Sequence, residues 1–295
     1  MSHFKSGFVT VVGRPNVGKS TLINRLVGQK VSIVSNKPQT TRNQIQAVYQ
    51  EENCQIVFVD TPGVHQPKNK LGNYMVNAAF TAMDDMDVVL LMVDVTRDGG
   101  EDALLGRLRD CYSAVILVLN KVDLIPKEKL LPLIEQYSAA CHFEAVVPIS
   151  AKTGDGVDDL LQVMKGLLPE GPKYFPEDMV TDQSERQLAG ELIREKTLRF
   201  LSQEVPHGVA VEIEQMKMDG ELCRMNAVIY VEKASHKMII IGKGGAMIKK
   251  IGTAARRDLE RMLDCRVHLE LWVKVKEDWR NNDYLIRNFG YEQES

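Results

Sequence analysis

The sequence predicts two successive folds: a doubly wound α/β domain over residues 1–168 and a smaller α+β domain over residues 184–295, joined by a linker at 169–183. Three observations predict this. Short, continuously apolar runs alternate with helix-like segments up to residue 168, as in strands covered on both faces of a mostly parallel sheet. Three prolines and a glycine then fall within Leu168–Pro176, which no helix can cross. Beyond them the order changes to helix, strand, strand, helix, helix, strand.

In the first domain the strands are expected at Phe8–Val12, Gln44–Tyr49, Gln55–Val59, Val88–Val93, Val115–Leu119 and Ala145–Ile149. Helices should begin near Ser20, Leu71, Glu101, Lys127 and Val157. A sheet of this kind binds ligands at the carboxyl ends of its strands. In the second domain Ser184-Glu185-Arg186-Gln187 reads as a capping box opening a helix to about Glu204, followed by strands at Val209–Gln215 and Cys223–Val231.

Composition narrows the field. At 295 residues the chain is comfortable for two cores, and a net charge of −3 gives no global sign of a polyanionic partner. The charge is unevenly placed, however. From Lys233 to Arg257 there are seven basic residues and no acidic one, so an anionic partner is expected there. Cys54, Cys111, Cys141, Cys223 and Cys265 are odd in number and without Cys-x-x-Cys spacing, which argues for reduced thiols in a cytoplasmic protein. No apolar run approaches a membrane span and the N-terminus has no signal-peptide core. Any membrane contact would be peripheral.

Gly13-Arg14-Pro15-Asn16-Val17-Gly18-Lys19-Ser20-Thr21 lies between the first strand and the first helix. That context makes it a phosphate-binding loop, whose backbone N–H groups and helix N-terminus surround a polyphosphate. Lys19 should reach the β- and γ-phosphates, and Ser20 should ligate Mg²⁺. Asp60-Thr61-Pro62-Gly63 follows the strand Gln55–Val59; Asp60 should hold the magnesium through a water, and the Gly63 amide should sense the γ-phosphate. By itself an Asp-x-x-Gly is usually a turn, so position carries the argument.

Asn120-Lys121-Val122-Asp123 ends another apolar strand and selects the base. The Asp123 carboxylate can accept hydrogen bonds from guanine N1–H and the 2-amino group, a pairing adenine cannot offer. Asn120 should tie this turn to the phosphate loop, and the Lys121 stem should cover the ring. The plain alternative is Asp123 capping a helix. Ser150-Ala151-Lys152, after the last strand, places the Ala151 amide near guanine O6. In fixed order after a specific first motif, these segments name GTP and GDP as ligands. Between the first helix and second strand, Asn36-Lys37-Pro38-Gln39-Thr40-Thr41-Arg42 is a polar loop that can close over the nucleotide and give a threonine hydroxyl to Mg²⁺ only in the GTP state. Thr41 is the first choice and Thr40 the alternative.

In the second domain Gly242-Lys243-Gly244-Gly245 is a Gly-x-x-Gly loop between two apolar helical segments. Its glycines can lie against about four nucleotides of RNA backbone, with Lys243, Lys249 and Lys250 attracting phosphates. No aromatic stacking platform is evident, and Trp272 and Trp279 are expected to pack around the last strand and the C-terminal tail.

These motifs together resemble the translation-factor-like GTPases, and within them the Era family of bacterial ribosome-assembly GTPases. Pro38-Gln39-Thr40-Thr41-Arg42, Leu168-Pro169-Glu170-Gly171-Pro172, Ile193-Arg194-Glu195-Lys196 and Pro206-His207 share the likeness, which spans nearly the whole chain. The resemblance implies a P-loop GTPase domain followed by a type II KH domain, slow GTP hydrolysis, and binding of the 3′ end of 16S rRNA in the 30S subunit. It implies that Lys19, Thr41, Gly63 and Asn16 serve hydrolysis. Ras-like enzymes orient water with a glutamine after Asp-x-x-Gly, but this chain has Val64, so another element must supply positioning and charge. In similar GTPases the asparagine equivalent to Asn16 helps bind K⁺ in place of an arginine finger.

Two other readings compete. An RNA-anchoring scaffold could hold GTP structurally, in which case Lys19→Ala would leave assembly intact. A signalling GTPase could set its basic face on anionic lipid of the inner membrane, but the basic residues surround the Gly-x-x-Gly loop and form no obvious amphipathic anchor.

Overall fold

The computed structural model describes residues 4–35, 37, 39–97, 99–201 and 208–291. The chain divides into two compact units: Met1–Ser32 with Thr41–Pro67 and Met75–Asp182, and Ile33–Thr40 with Lys68–Tyr74 and Gln183–Ser295.

The first unit is built on a six-stranded sheet ordered β2-β3-β1-β4-β5-β6. Its strands are β1 (Lys5–Val12), β2 (Ile45–Glu51), β3 (Cys54–Asp60), β4 (Val88–Asp94), β5 (Ala114–Asn120) and β6 (Ala145–Ile149). All pairings are parallel except that of β2 with β3, because only two residues separate those strands and a parallel crossover needs a dozen or more. Strands β3 and β4 are buried at every position, which accounts for their unbroken apolar runs. Around the sheet run α1 (Lys19–Val27), α2 (Lys70–Thr81), α3 (Asp102–Leu108), α4 (Leu130–Ala140) and α5 (Val157–Leu167). Helix α4 starts later than its sequence suggests, since Lys127–Lys129 forms a separate 3₁₀ turn.

The proline-rich segment expected to be a linker is fastened along this unit. Ser6 N–H donates to Pro169 O at 3.1 Å and Gly171 N–H to Phe4 O at 3.1 Å. The Tyr174 and Phe175 amides donate to Gln55 Oε1 at 2.7 and 3.0 Å. Farther on, Val48 N–H donates to Val180 O at 2.9 Å and Asp182 N–H to Gln46 O at 3.3 Å. Residues 180–182 thereby pair with the open edge of β2, satisfying groups that an edge strand leaves exposed.

The second unit has a three-stranded sheet ordered β7-β8-β9, from β7 (Ala210–Asp219), β8 (Leu222–Val231) and β9 (Arg266–Val275). Strands β7 and β8 are antiparallel, and β8 and β9 parallel. Helices α6 (Glu185–Phe200), α7 (Ala234–Ile241), α8 (Ala246–Leu263) and α9 (Asp283–Asn288) complete it. Ser184 and Gln187 make the full reciprocal capping box of α6, but the helix stops at Phe200; Glu204 and the Pro206-His207 pair lie outside the described residues. Trp279 is fully buried, its indole donating to Gly208 O at 2.9 Å and its ring packed on Phe289 and Tyr291. Trp272 departs from expectation: it is 60% exposed, because strand alternation sends it to the face opposite buried Val267 and Val273.

Helices α6 and α8 are clasped by a buried ammonium. Lys196 Nζ pairs with Glu195 at 2.8 Å and with Asp258, and Lys196 is 4% exposed. Removing the cation leaves two carboxylates in poorly hydrated surroundings, a loss of about 3–5 kcal/mol. Lys196→Ala is therefore expected to lower the melting temperature of this unit by roughly 10 °C or more, read by calorimetry, with nucleotide affinity unchanged.

Candidate functional site

In the first unit, the phosphate loop leaves β1 and enters α1. Glycine is required where the loop meets its neighbours: a Cβ on Gly13 would lie 2.4 Å from Met92 O, and Gly18 has a φ of +113° with Asn120 Nδ2 2.3 Å from its would-be Cβ. Lys19 is 6% exposed, and its Nζ donates to Gly13 O at 3.0 Å and Arg14 O at 3.1 Å. Burial lowers the Lys19 ammonium to about 8, with Asp60 acting the other way. Two of its three protons are used on neutral carbonyls, so one donor remains for an anion. The residues therefore fit a polyphosphate.

Three oxygen-bearing side chains converge beside it. Ser20 Oγ donates to Asp60 Oδ2 at 2.8 Å and lies 3.0 Å from Thr41 Oγ1. The Thr40 hydroxyl instead donates to Lys37 O at 2.6 Å, so Thr41 is the threonine at the site. Asp60 is fully buried, and burial raises its pKa against the hydrogen bond from Ser32 and the charge of Lys19. Its Oδ1 has no hydrogen-bond partner among the described residues. Two hydroxyls and a buried carboxylate with an unused oxygen are a hard donor set, which fits Mg²⁺. Ser32, missed by sequence reasoning, donates to Asp60 Oδ2 at 2.7 Å; a lone serine in a loop carries no signal.

The segment Asp60–Gly63 at the end of β3 folds against the phosphate loop. Thr61 Oγ1 donates to Val11 O at 2.7 Å, Pro62 is buried, and a Cβ on Gly63 would sit 2.7 Å from the Pro15 backbone. Val64 N–H donates to Gly13 O at 3.1 Å while its side chain joins the apolar cluster around Val12 and Leu91. Its side chain is committed to packing. Arg14 takes part through its backbone: its guanidinium reaches Gly99 O and lies 3.9 Å from buried Glu101, which accepts from Tyr137 at 2.8 Å.

At the ends of β5 and β6, Asn120 bridges two loops. Its Nδ2 donates to Val17 O at 2.6 Å, and its Oδ1 accepts from Ala151 N–H at 2.9 Å. The Ala151 amide, expected at guanine O6, is thus used in fastening the turn to Asn120. Arg25 adds a second tie, from Nε to Ala151 O at 2.8 Å and from its terminal nitrogen to Lys152 O at 2.6 Å; in the sequence it looks like a solvated residue near the end of α1. Asp123 lies inside a 3₁₀ turn, Val122–Leu124, that has no side-chain cap. It is exposed and makes no hydrogen bond or ion pair among the described residues, so the capping alternative falls and its oxygens face solvent. Ser150 and Thr21 complete the motifs: Ser150 is buried with its Oγ accepting from Thr153 N–H at 3.2 Å, and Thr21 lies in the first turn of α1.

The second unit holds the other candidate. Gly242, Gly244 and Gly245 have φ of 71°, 60° and 79°, all in the left-handed region that favours glycine. A Cβ on Gly242 would strike Met247 at 2.7 Å, whereas nothing lies within 4 Å of one on Gly244 or Gly245. The crest is open to another backbone. Lys243 and Lys249 are exposed, and Lys250 Nζ sits 4.5 Å over the Phe200 ring. Beside the loop, α7 leaves Met238 and Ile239 67% and 47% exposed, an apolar surface that the sequence showed only as part of an apolar helical segment.

Comparison with known proteins agrees with this geometry. Residues 8–121 match a family model described as a 50S ribosome-binding GTPase, and residues 204–280 match a KH domain. The chain is 53% identical over 291 residues to GTPase Era of Ruminiclostridium cellulolyticum, covering 98% of each chain. It is 54% identical over 293 residues to GTPase Era of Clostridioides difficile, covering 98% of this chain and 99% of that one. Among solved structures, a variant of Aquifex aeolicus Era bound to GDP.AlF4- superposes with a TM-score of 0.94 at 41% identity, over 98% of this chain and 100% of that one. Era in complex with MgGDPNP and nucleotides 1506–1542 of 16S ribosomal RNA superposes with a TM-score of 0.95 at 42% identity, over 99% and 100%.

Proposed function

Since the chain belongs to the Era family of GTPases, we propose that it hydrolyses GTP and uses the bound nucleotide to control an RNA-binding domain during assembly of the small ribosomal subunit. The convergence of Ser20, Thr41 and Asp60 carries this reading, because a threonine from a loop, a strand-end carboxylate and a helix-start serine meet where a γ-phosphate-dependent cation would sit. Residues 1–168 form the GTPase domain, 169–183 the linker and 184–295 the KH domain.

The geometry supports the following roles. The loop Gly13–Thr21 wraps the phosphates, and Lys19 adds its remaining proton to them. Ser20, Thr41 and Asp60 are the residues that would hold Mg²⁺, which when bound would neutralise charge on the phosphates. The Gly63 amide senses the γ-phosphate, Asp123 reads guanine, and Lys121 covers its ring. Asn16, held by its carbonyl at the crest of the loop, is the residue proposed to bind K⁺. Hydrolysis in potassium buffer should then exceed that in sodium buffer at least tenfold, and equal rates would remove K⁺ from the scheme.

Gly242–Gly245, Lys243, Lys249 and Lys250 bind RNA backbone, with Met238 and Ile239 against the bases. The RNA proposed is the 3′ end of 16S rRNA in the 30S particle, because a relative 42% identical over nearly the whole chain was solved with that segment. The test is crosslinking in cells or extract with a GTP analogue or GDP, followed by sequencing of the captured RNA. Enrichment of the 16S 3′ end with the analogue alone is expected; equal capture in both states would overturn the coupling. No helix among the described residues is long and apolar enough to cross a membrane. Peripheral association with the inner membrane would call on the same lysines, so anionic vesicles should compete with RNA if it occurs; the proposed place of work is the cytoplasm.

A further inference from the structure

Asp94 ends β4 as a single acidic residue after six apolar ones, and its register partner is Asn120. It is 2% exposed. One of its oxygens accepts from Thr96 N–H at 3.1 Å and Thr96 Oγ1 at 2.6 Å. The other meets Lys121 Nζ at 2.5 Å and Arg97 Nε at 3.4 Å. The same Lys121 ammonium donates to Asn16 O at 3.0 Å. Lys121 and Asn16 both hold left-handed backbone, with φ of 71° and 65°, a conformation that persists in non-glycine residues only when surrounding contacts impose it. One buried carboxylate thus reaches, through one ammonium, both the turn assigned to the base and the crest of the phosphate loop.

We propose that Asp94 is a positioning residue for guanine-nucleotide binding, acting through Lys121 to fix the base-reading turn and the phosphate loop relative to each other. The inference rests on Lys121 and Asp123 being the base-reading turn. Asp94 itself stays charged at neutral pH: burial opposes its ionisation, but the hydrogen bonds from Lys121 and Thr96 outweigh it and hold the carboxyl below its ordinary value. An Asp94 that only shaped the local turn would need Thr96 and Arg97 but not Lys121.

The test measures affinity for GDP and for a non-hydrolysable GTP analogue in Asp94→Asn, Lys121→Met and the double variant of the full-length protein. Asn keeps the acceptor for Thr96, and Met keeps an apolar stem over the base. Asp94→Asn is expected to weaken both nucleotides about tenfold and alike, since the loss of one hydrogen bond to a charged group is about that large. The double variant should bind within twofold of the weaker single, because both changes break one linkage. Wild-type affinity in Asp94→Asn, or losses that multiply in the double variant, would overturn the proposal. Should Asp94→Asn not fold, Thr96→Val loosens the carboxylate without touching Lys121 and is expected to cost two- to threefold, with wild-type affinity again overturning it. Asp123→Asn separates the premise from the inference: if it keeps its preference for guanine the base-reading turn is misassigned, whereas a changed preference beside an unaffected Asp94→Asn removes the inference alone.

Discussion

Asp123→Asn is expected to turn the protein from guanine to xanthine nucleotides. Asp123 is exposed, and neither a cap nor an ion pair among the described residues occupies it, so its two oxygens are free for the N1–H and 2-amino group of guanine. Each hydrogen bond to a charged acceptor contributes about 1.5–3 kcal/mol. Replacing one oxygen by an amide nitrogen turns an acceptor toward the 2-amino group into a donor facing a donor, so GTP affinity should fall by about 10²–10⁴-fold. Xanthine has a carbonyl at that position, and the asparagine amide can donate to it. Titration with fluorescent guanine and xanthine diphosphates reads the result directly. A variant that still preferred guanine would show that another group selects the base.

The second large effect is expected from Lys19→Ala. Its ammonium is buried and, among the described residues, donates to Gly13 O and Arg14 O, so the variant loses a charge from a loop and helix start whose dipoles favour an anion. Removing one preorganised charge-stabilising donor from a reaction centre costs about 10²–10³-fold in rate. Single-turnover hydrolysis at saturating GTP should fall by at least that factor, and particle assembly in cells depending on the variant should fail with it. Normal assembly beside lost hydrolysis would favour the scaffold reading, in which GTP is structural.

Much of the site was legible because phosphate, guanine and RNA backbone are all recognised through short contiguous segments. Gly13–Thr21, Asp60–Gly63, Asn120–Asp123 and Gly242–Gly245 each place backbone groups by local chain geometry, and local geometry is what spacing records. Asp94 left a fainter signal, a lone charge at the carboxyl end of a buried strand. Arg25 and Ser32 left none, since an arginine on a helix and a serine in a loop look the same whether or not they serve a site. The linker was legible as a helix break, but its pairing with the edge of β2 was not, because proline spacing says where a helix stops and nothing about which strand lies alongside.

By itself the sequence determined the order of the elements before α9 and the class of ligand, because each depends on residue types within a few positions of one another. Only the tertiary structure decided between Thr40 and Thr41, two identical side chains at adjacent positions of which one alone lies 3.0 Å from Ser20. It likewise turned the Ala151 amide to Asn120, exposed Trp272 while burying Trp279, and set Lys121 between Asp94 and Asn16. Each of these choices depends on segments 20 or more residues apart meeting in space, or on which side of a sheet a side chain faces, and no local pattern encodes either.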